Sequence, residues 1–147
     1  MIRKARTEDA SRLAEILIFS KRMNYRSIFQ DDYVSFAELQ VYPLAKSYAE
    51  NPALLENVWV FDDEFVKGMV HAEGEQVAEL YVDTFFVNLG IGSSLIEFAV
   101  KDLGCRYLWV LDKNTGAKRF YERHGFRQTD EKRFEQGTAE LLVKMAR

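Results

Sequence analysis

The segment from Leu80 to Leu95 constrains the fold most. Its first residues, Leu80-Tyr81-Val82, close a strand. A short loop follows, Asp83-Thr84-Phe85-Phe86-Val87-Asn88-Leu89, and a helix then opens on Gly90-Ile91-Gly92-Ser93. The first backbone N–H groups of a helix have no partner within it and sit at the positive end of its dipole. Glycines there let an anion approach without a Cβ in the way. The segment therefore reads either as a diphosphate-binding corner or as a tight turn into a glycine-started helix. A dinucleotide-binding fold fits less well, because the third glycine of that fingerprint is absent and the strands before it read as antiparallel.

Those strands follow Asn51-Pro52. Val58 to Phe61, Phe65 to Glu73 and Gln76 to Val82 are separated by Asp62-Asp63-Glu64 and Gly74-Glu75, which predicts a meander. Upstream, Ile2 to Ala5 reads as a strand and Thr7 as a helix N-cap with Glu8 and Asp9 in the first turn. Ala10, Leu13, Ala14 and Leu17 then recur at helical spacing. Tyr25 to Gln30 reads as a loop. A second helical region from Asp31 or Asp32 is split by Pro43, which suits a first turn better than an interior.

Downstream, the helix from Gly90 runs to Leu103, with Gly104 where a C-terminal cap belongs. Tyr107 to Leu111 is a buried strand, Thr115 to His124 a helix closed by Gly125, and Phe126 begins another strand. Gln136-Gly137 marks a turn, and Ala139, Leu141, Val143 and Met145 alternate as the last strand, at an edge or paired across a dimer. The order is strand, two helices, three strands, helix, strand, helix, two strands: an α/β (α+β) layer on a mixed sheet, read as one domain over 1–147.

Bulk properties narrow the function. A chain of 147 residues with 48% apolar content can build one core. No apolar run reaches the roughly 20 residues that span a bilayer, and no long apolar stretch follows the basic residues at the start, so neither a membrane span nor a secretory leader is expected. Cys105, the single cysteine, has no disulfide or metal partner, and the two histidines lack ligand spacing, so no metal is expected. These features favour the cytoplasm. The net charge of −3 argues against nucleic-acid binding and is compatible with a cationic acceptor.

A second constellation is Asn114-Thr115-Gly116-Ala117-Lys118-Arg119-Phe120-Tyr121-Glu122-Arg123-His124-Gly125-Phe126. Asn114 and Tyr121 are about two helical turns apart and share a face. Tyrosine, with a reference pKa of about 10, is a usable proton donor at neutral pH, and asparagine offers a donor and an acceptor to an amide-rich ligand. The plainer roles are an N-cap and a packed core tyrosine.

Together the two segments resemble the GNAT superfamily of N-acetyltransferases. The matching residues are Leu80-Tyr81-Val82, then Val87 to Gly92, then Asn114, Ala117, Phe120-Tyr121-Glu122 and Gly125-Phe126. The resemblance implies acetyl-coenzyme A as co-substrate and transfer of its acetyl group to a primary amine. Backbone groups of Leu80, Tyr81 and Val82 would pair with the pantetheine arm. Amides of Asn88, Leu89, Gly90, Ile91, Gly92 and Ser93 would cradle the pyrophosphate, and Asn114 would contact the arm near its thiol end. Tyr121 would protonate the leaving thiolate, and an amide of Tyr81 or Val82 would hold the oxyanion. The family's usual Gln or Arg at the head of the loop is Val87 here, and the basic residues common before the glycines are missing, which predicts fewer charge-assisted contacts.

Glu79, just before Leu80, reads either as the general base, directly or through water, or as a solvated strand carboxylate. Glu73 and His71 on the neighbouring strand are reserves, with His71 reading first as a structural histidine. The family pattern puts acceptor recognition on the first helices, where Arg22, Tyr25, Arg26, Phe29 and Tyr33 lie. An amino acid, a polyamine, a peptide N-terminus and a protein lysine all remain open as acceptors, and the protein as monomer or homodimer. The alternatives to an enzyme are a non-catalytic coenzyme A-binding or regulatory module, or a partner-binding domain without a cofactor.

Overall fold

The computed structural model describes residues 1–29 and 40–147, with residues 24–29 described by their backbone alone. Seven strands form one mixed sheet. They are β1 (Ile2–Lys4), β2 (Val58–Asp63), β3 (Phe65–Glu73), β4 (Gln76–Val82), β5 (Tyr107–Leu111), β6 (Arg127–Phe134) and β7 (Leu141–Ala146). The helices are α1 (Ala10–Phe29), α2 (Val41–Glu50), α3 (Ile91–Lys101) and α4 (Thr115–Arg123). The sheet order is β1-β2-β3-β4-β5-β7-β6, with β4 and β5 parallel and every other pair antiparallel.

The helices cover the two faces. On one face α1 and α2 pack Leu13, Ile16, Leu17 and Tyr48 over Val58, Val60 and Met69. On the other, α3 packs Ile91, Leu95, Ile96 and Ala99 over Val70, Val77, Leu108 and Val110, with Phe126 and Met145 completing the layer. Each fully buried side chain of this size stabilises the fold by about 1.5–3 kcal/mol, the usual value for removing it from water. Cys105 lies in this second layer, where burial pushes its thiol pKa up, as a small apolar residue would sit.

Four sequence expectations need correction. Tyr25 to Phe29, expected as part of a loop, continue α1, and no glycine or proline interrupts that helix. Thr7 is not the helix cap: Thr7–Asp9 form a 3-10 turn, and the Asp9 carboxylate caps it by accepting the Arg6 N–H at 2.8 Å. The last strand begins at Leu141, because Thr138 is held in the preceding turn by the Glu135 carbonyl. That strand is internal, between β5 and β6, and β6 is the edge instead. Its exposed side chains include Arg127, Asp130, Glu131, Lys132 and Arg133, charges that discourage a further strand from adding there. Pro43 sits in the first turn of α2, as its missing N–H favours.

Among the described residues no helix is long and apolar enough to cross a membrane, and no group of three or more His, Cys, Asp or Glu side chains is placed to hold a metal ion.

Candidate active site

The site is created where β4 and β5 part. They pair only at Gln76–Tyr107 and Val77–Leu108. On the other side of β4, His71 stands opposite Glu79 and Ala72 opposite Val77, so Ala78 is an extra residue in β4. Such a bulge bends its strand, and here the bend accompanies the opening toward β5. The Asp83 N–H donates to the Lys67 carbonyl at 2.9 Å, on the β3 side. Strand alternation then turns the Tyr81 main chain toward β3 and leaves the N–H groups of Leu80 and Val82 facing the gap.

The loop after β4 is anchored at Asp83. Its carboxylate accepts the Phe85 N–H at 2.8 Å and is ion-paired with Arg12 of α1. The chain then passes through two left-handed residues, Asn88 (φ 64°) and Gly90 (φ 84°). Asparagine tolerates that region better than most side chains, and Gly90 caps α3 there. The first intrahelical bond runs from the Ser94 N–H to the Gly90 carbonyl, so the amides of Ile91, Gly92 and Ser93 precede the helical ladder. At Gly92 an added Cβ would come within 3.3 Å of the Phe120 ring. The missing side chain is what lets α4 approach this corner closely.

This corner opens into a cleft of about 420 Å³ lined by Leu80, Val82, Val87, Asn88, Gly90, Gly92, Ser93, Phe120 and Arg123. Arg123 lines this cleft and was not singled out in the sequence. The loop has no cation, yet α4 brings one to its rim. Neighbouring His124 shares a 3.1 Å hydrogen bond with the Ser93 hydroxyl, joining α4 to the first turn of α3. Leu89 points to solvent and Ile91 into the core, so neither side chain lines the cleft.

A second cleft, about 130 Å³, continues along the parted strands and is lined in part by Leu80, Tyr81, Asn114, Ala117 and Tyr121. Asn114 caps α4, its Oδ1 accepting the Ala117 N–H at 3.2 Å, and it lines the cleft as well. Tyr121 packs edge-on against Phe120 and Phe126 and also lines the cleft. Capping and packing thus leave both residues in the lining of the cleft.

On the α1 face lies a polar pocket of about 210 Å³ that includes Lys21, Gln76, Glu79, Trp109, Arg133 and Glu135. It shares Ala78, Glu79, Tyr81 and Trp109 with the second cleft, so the two cavities meet at the gap between β4 and β5. Glu79 stands at that junction. The His71 ring nitrogen Nδ1 lies 3.2 Å from its Oε1, and this hydrogen bond raises the imidazole pKa. Burial, and then the Glu79 charge, push the Tyr48 hydroxyl up to about 12. Tyr33 lies outside the described residues, as do the side chains of Tyr25 and Phe29.

The model of the acetyltransferase (GNAT) domain matches residues 55–128. That span runs from the end of the turn before β2 into β6 and holds both clefts. No curated protein matches the sequence significantly. Among solved structures, apo YjaB from Escherichia coli is 24% identical, with a TM-score of 0.78 over 99% of this chain and 95% of its own. An N-acetyltransferase from Staphylococcus aureus Mu50 is 14% identical, with a TM-score of 0.77 over 99% and 98%. PaiA N-acetyltransferase from Thermoplasma acidophilum, in complex with coenzyme A, is 20% identical, with a TM-score of 0.69 over 100% and 98%. With half of its length matched by the family model, the chain belongs to the GNAT acetyltransferases, enzymes that use acetyl-coenzyme A as the acetyl donor.

Proposed function

We propose that this single domain transfers an acetyl group from acetyl-coenzyme A directly to a primary amine, with Tyr121 as general acid and Glu79 as general base. The observation that carries the reading is the junction at Glu79, where a cleft from the α3–α4 side meets a polar pocket from the α1 side. Donor and acceptor can enter from opposite faces of the sheet and meet at one carboxylate.

Each residue then has a task. The first-turn amides of α3 and the guanidinium of Arg123 hold the pyrophosphate, the latter compensating for the uncharged loop. The gap-facing main chain of Leu80 and Val82 takes the pantetheine arm as an added strand. An acceptor amine arrives protonated at neutral pH, with a reference pKa of about 10.4 for a lysine-type amine. Glu79 removes that proton directly or through water, since the ammonium has no lone pair with which to attack. The amine nitrogen then bonds to the thioester carbon, and the Val82 N–H faces the oxygen that gains charge. As the carbon–sulfur bond breaks, Tyr121 donates its hydroxyl proton to the sulfur, and the second proton lost by the attacking nitrogen returns through water to the tyrosinate, leaving the neutral amide. Asn114 supports the arm from α4 through its Nδ2, which makes no hydrogen bond among the described residues.

The test is thiol release from acetyl-coenzyme A across a panel of amines. Tyr121→Phe is expected to lower kcat about a hundredfold, as general-acid removal does, and to leave coenzyme A affinity nearly intact. Unchanged turnover in this variant removes Tyr121 from the mechanism. Thermal stabilisation by coenzyme A without thiol release from any amine overturns the reaction itself.

A further inference from the structure

The pocket on the α1 face holds two cations that have no carboxylate partner among the described residues. Lys21 has neither a hydrogen-bond nor an ion-pair partner among the described residues. Arg133 stacks over the Trp109 ring, 4.2 Å from its centroid, and likewise has no carboxylate partner among them. The pocket's two carboxylates are otherwise engaged. Glu79 is hydrogen-bonded to His71, and Glu135 Oε1 accepts the Gln136 N–H at 3.2 Å. Stacking on an indole fixes the plane of a guanidinium while leaving its N–H fork open, the arrangement that matches a planar carboxylate.

We propose that the acceptor is a small amine that carries its own carboxylate, of the α-amino acid class. Its carboxylate lies between Lys21 and Arg133, and its amino group points to Glu79 at the gap between β4 and β5. This rests on the reaction proposed above and names the substrate class for the same site. A polyamine has no carboxylate to meet Lys21 and Arg133 and would set its further ammonium groups beside them. The cavity, about 210 Å³, is smaller than pockets for drug-sized ligands and suits a molecule of few heavy atoms. The overall net charge of −3 is compatible with a cationic acceptor. The pocket itself sets Lys21 and Arg133 beside Glu79 and Glu135, so an amino group and a carboxylate on one ligand each meet an opposite charge there, whereas exposed charges beyond about 10 Å are screened by salt.

The test compares each proteinogenic amino acid with its carboxamide and its decarboxylated amine, with spermidine and a tripeptide alongside, reading kcat/KM by thiol release. The wild type is expected to prefer at least one free acid over its carboxamide by roughly tenfold or more, the factor for losing a charged hydrogen-bond pair. In the double variant Lys21→Met, Arg133→Gln that ratio should fall to near one, while Lys21→Arg keeps it. Unaltered thermal stabilisation by coenzyme A shows that each variant is folded. Equal or better turnover of carboxamides, decarboxylated amines, spermidine or the tripeptide overturns this inference and leaves acetyl transfer standing. Absence of thiol release with every acceptor sinks the acetyl-transfer reaction, and this inference with it.

Discussion

In the proposed reaction, Arg123 and Glu79 carry the charges at its two ends. Arg123 is exposed at the rim of the larger cleft, so its pairing with a phosphate is worth less than a buried ion pair. Arg123→Gln is expected to raise the Kd for coenzyme A about fivefold at low salt and to reduce its salt sensitivity, measured by calorimetric titration at two ionic strengths. Glu79 is tied to His71, whose pKa it raises. A histidine whose folded value lies above its unfolded value of about 6.5 stabilises the fold fully below that pH, and the contribution fades as pH rises through the folded value. Urea denaturation should therefore show a larger stability loss for Glu79→Gln at pH 6 than at pH 9. The same variant should lower kcat about a hundredfold while leaving coenzyme A affinity unchanged. At this scale residue types were legible without their partners. Glu79 was legible as a candidate base because it precedes the gap motif. His71 was singled out, but its register opposite Glu79 depends on how β3 and β4 align around Ala78. Arg123 was hidden, because nothing in the order of residues says that α4 leans its last turn over the first turn of α3.

Among the elements, the contact between β3 and α3 governs where the glycine corner points. Gly68 of β3 faces α3 so closely that an added Cβ would lie 3.0 Å from both Ile91 Cγ2 and Leu95 Cδ1. Ile91 is the first residue of that helix. Gly68→Ala is expected to cost about 1–3 kcal/mol of stability by overpacking and to weaken coenzyme A binding by displacing the helix start. Urea denaturation and coenzyme titration measure the two effects, and a stability loss with unaltered affinity would show that the corner tolerates the shift. The elements themselves were largely readable. The strand from Tyr107 to Leu111 has the expected bounds, as do those over Phe65–Glu73 and Gln76–Val82, because turn residues flank apolar runs there. The C-terminal end of α1 was missed because Tyr25 to Phe29 carry no clear periodicity, and lack of a breaker is a weak signal.

For the molecule as a whole, a ligand that binds only the folded state raises its stability by RT ln(1 + L/Kd), where L is the free ligand concentration. Acetyl-coenzyme A at about one hundred times its Kd should add about 2.7 kcal/mol. For a chain of this size that corresponds to a rise in Tm of roughly 5–10 °C by scanning fluorimetry. A Tm that does not respond to the coenzyme would contradict the proposed cleft. Local signals in the chain were enough to determine the order of strands and helices, the glycine corner and the tyrosine helix, because turns, caps and hydrophobic period act over a few residues. The insertion of β7 between β5 and β6, the parting of β4 from β5, and the meeting of two cavities at Glu79 were decided only by tertiary structure. Those arrangements join residues far apart in the chain, and the free energy that selects them comes from packing whole faces against one another, which no short stretch of sequence encodes.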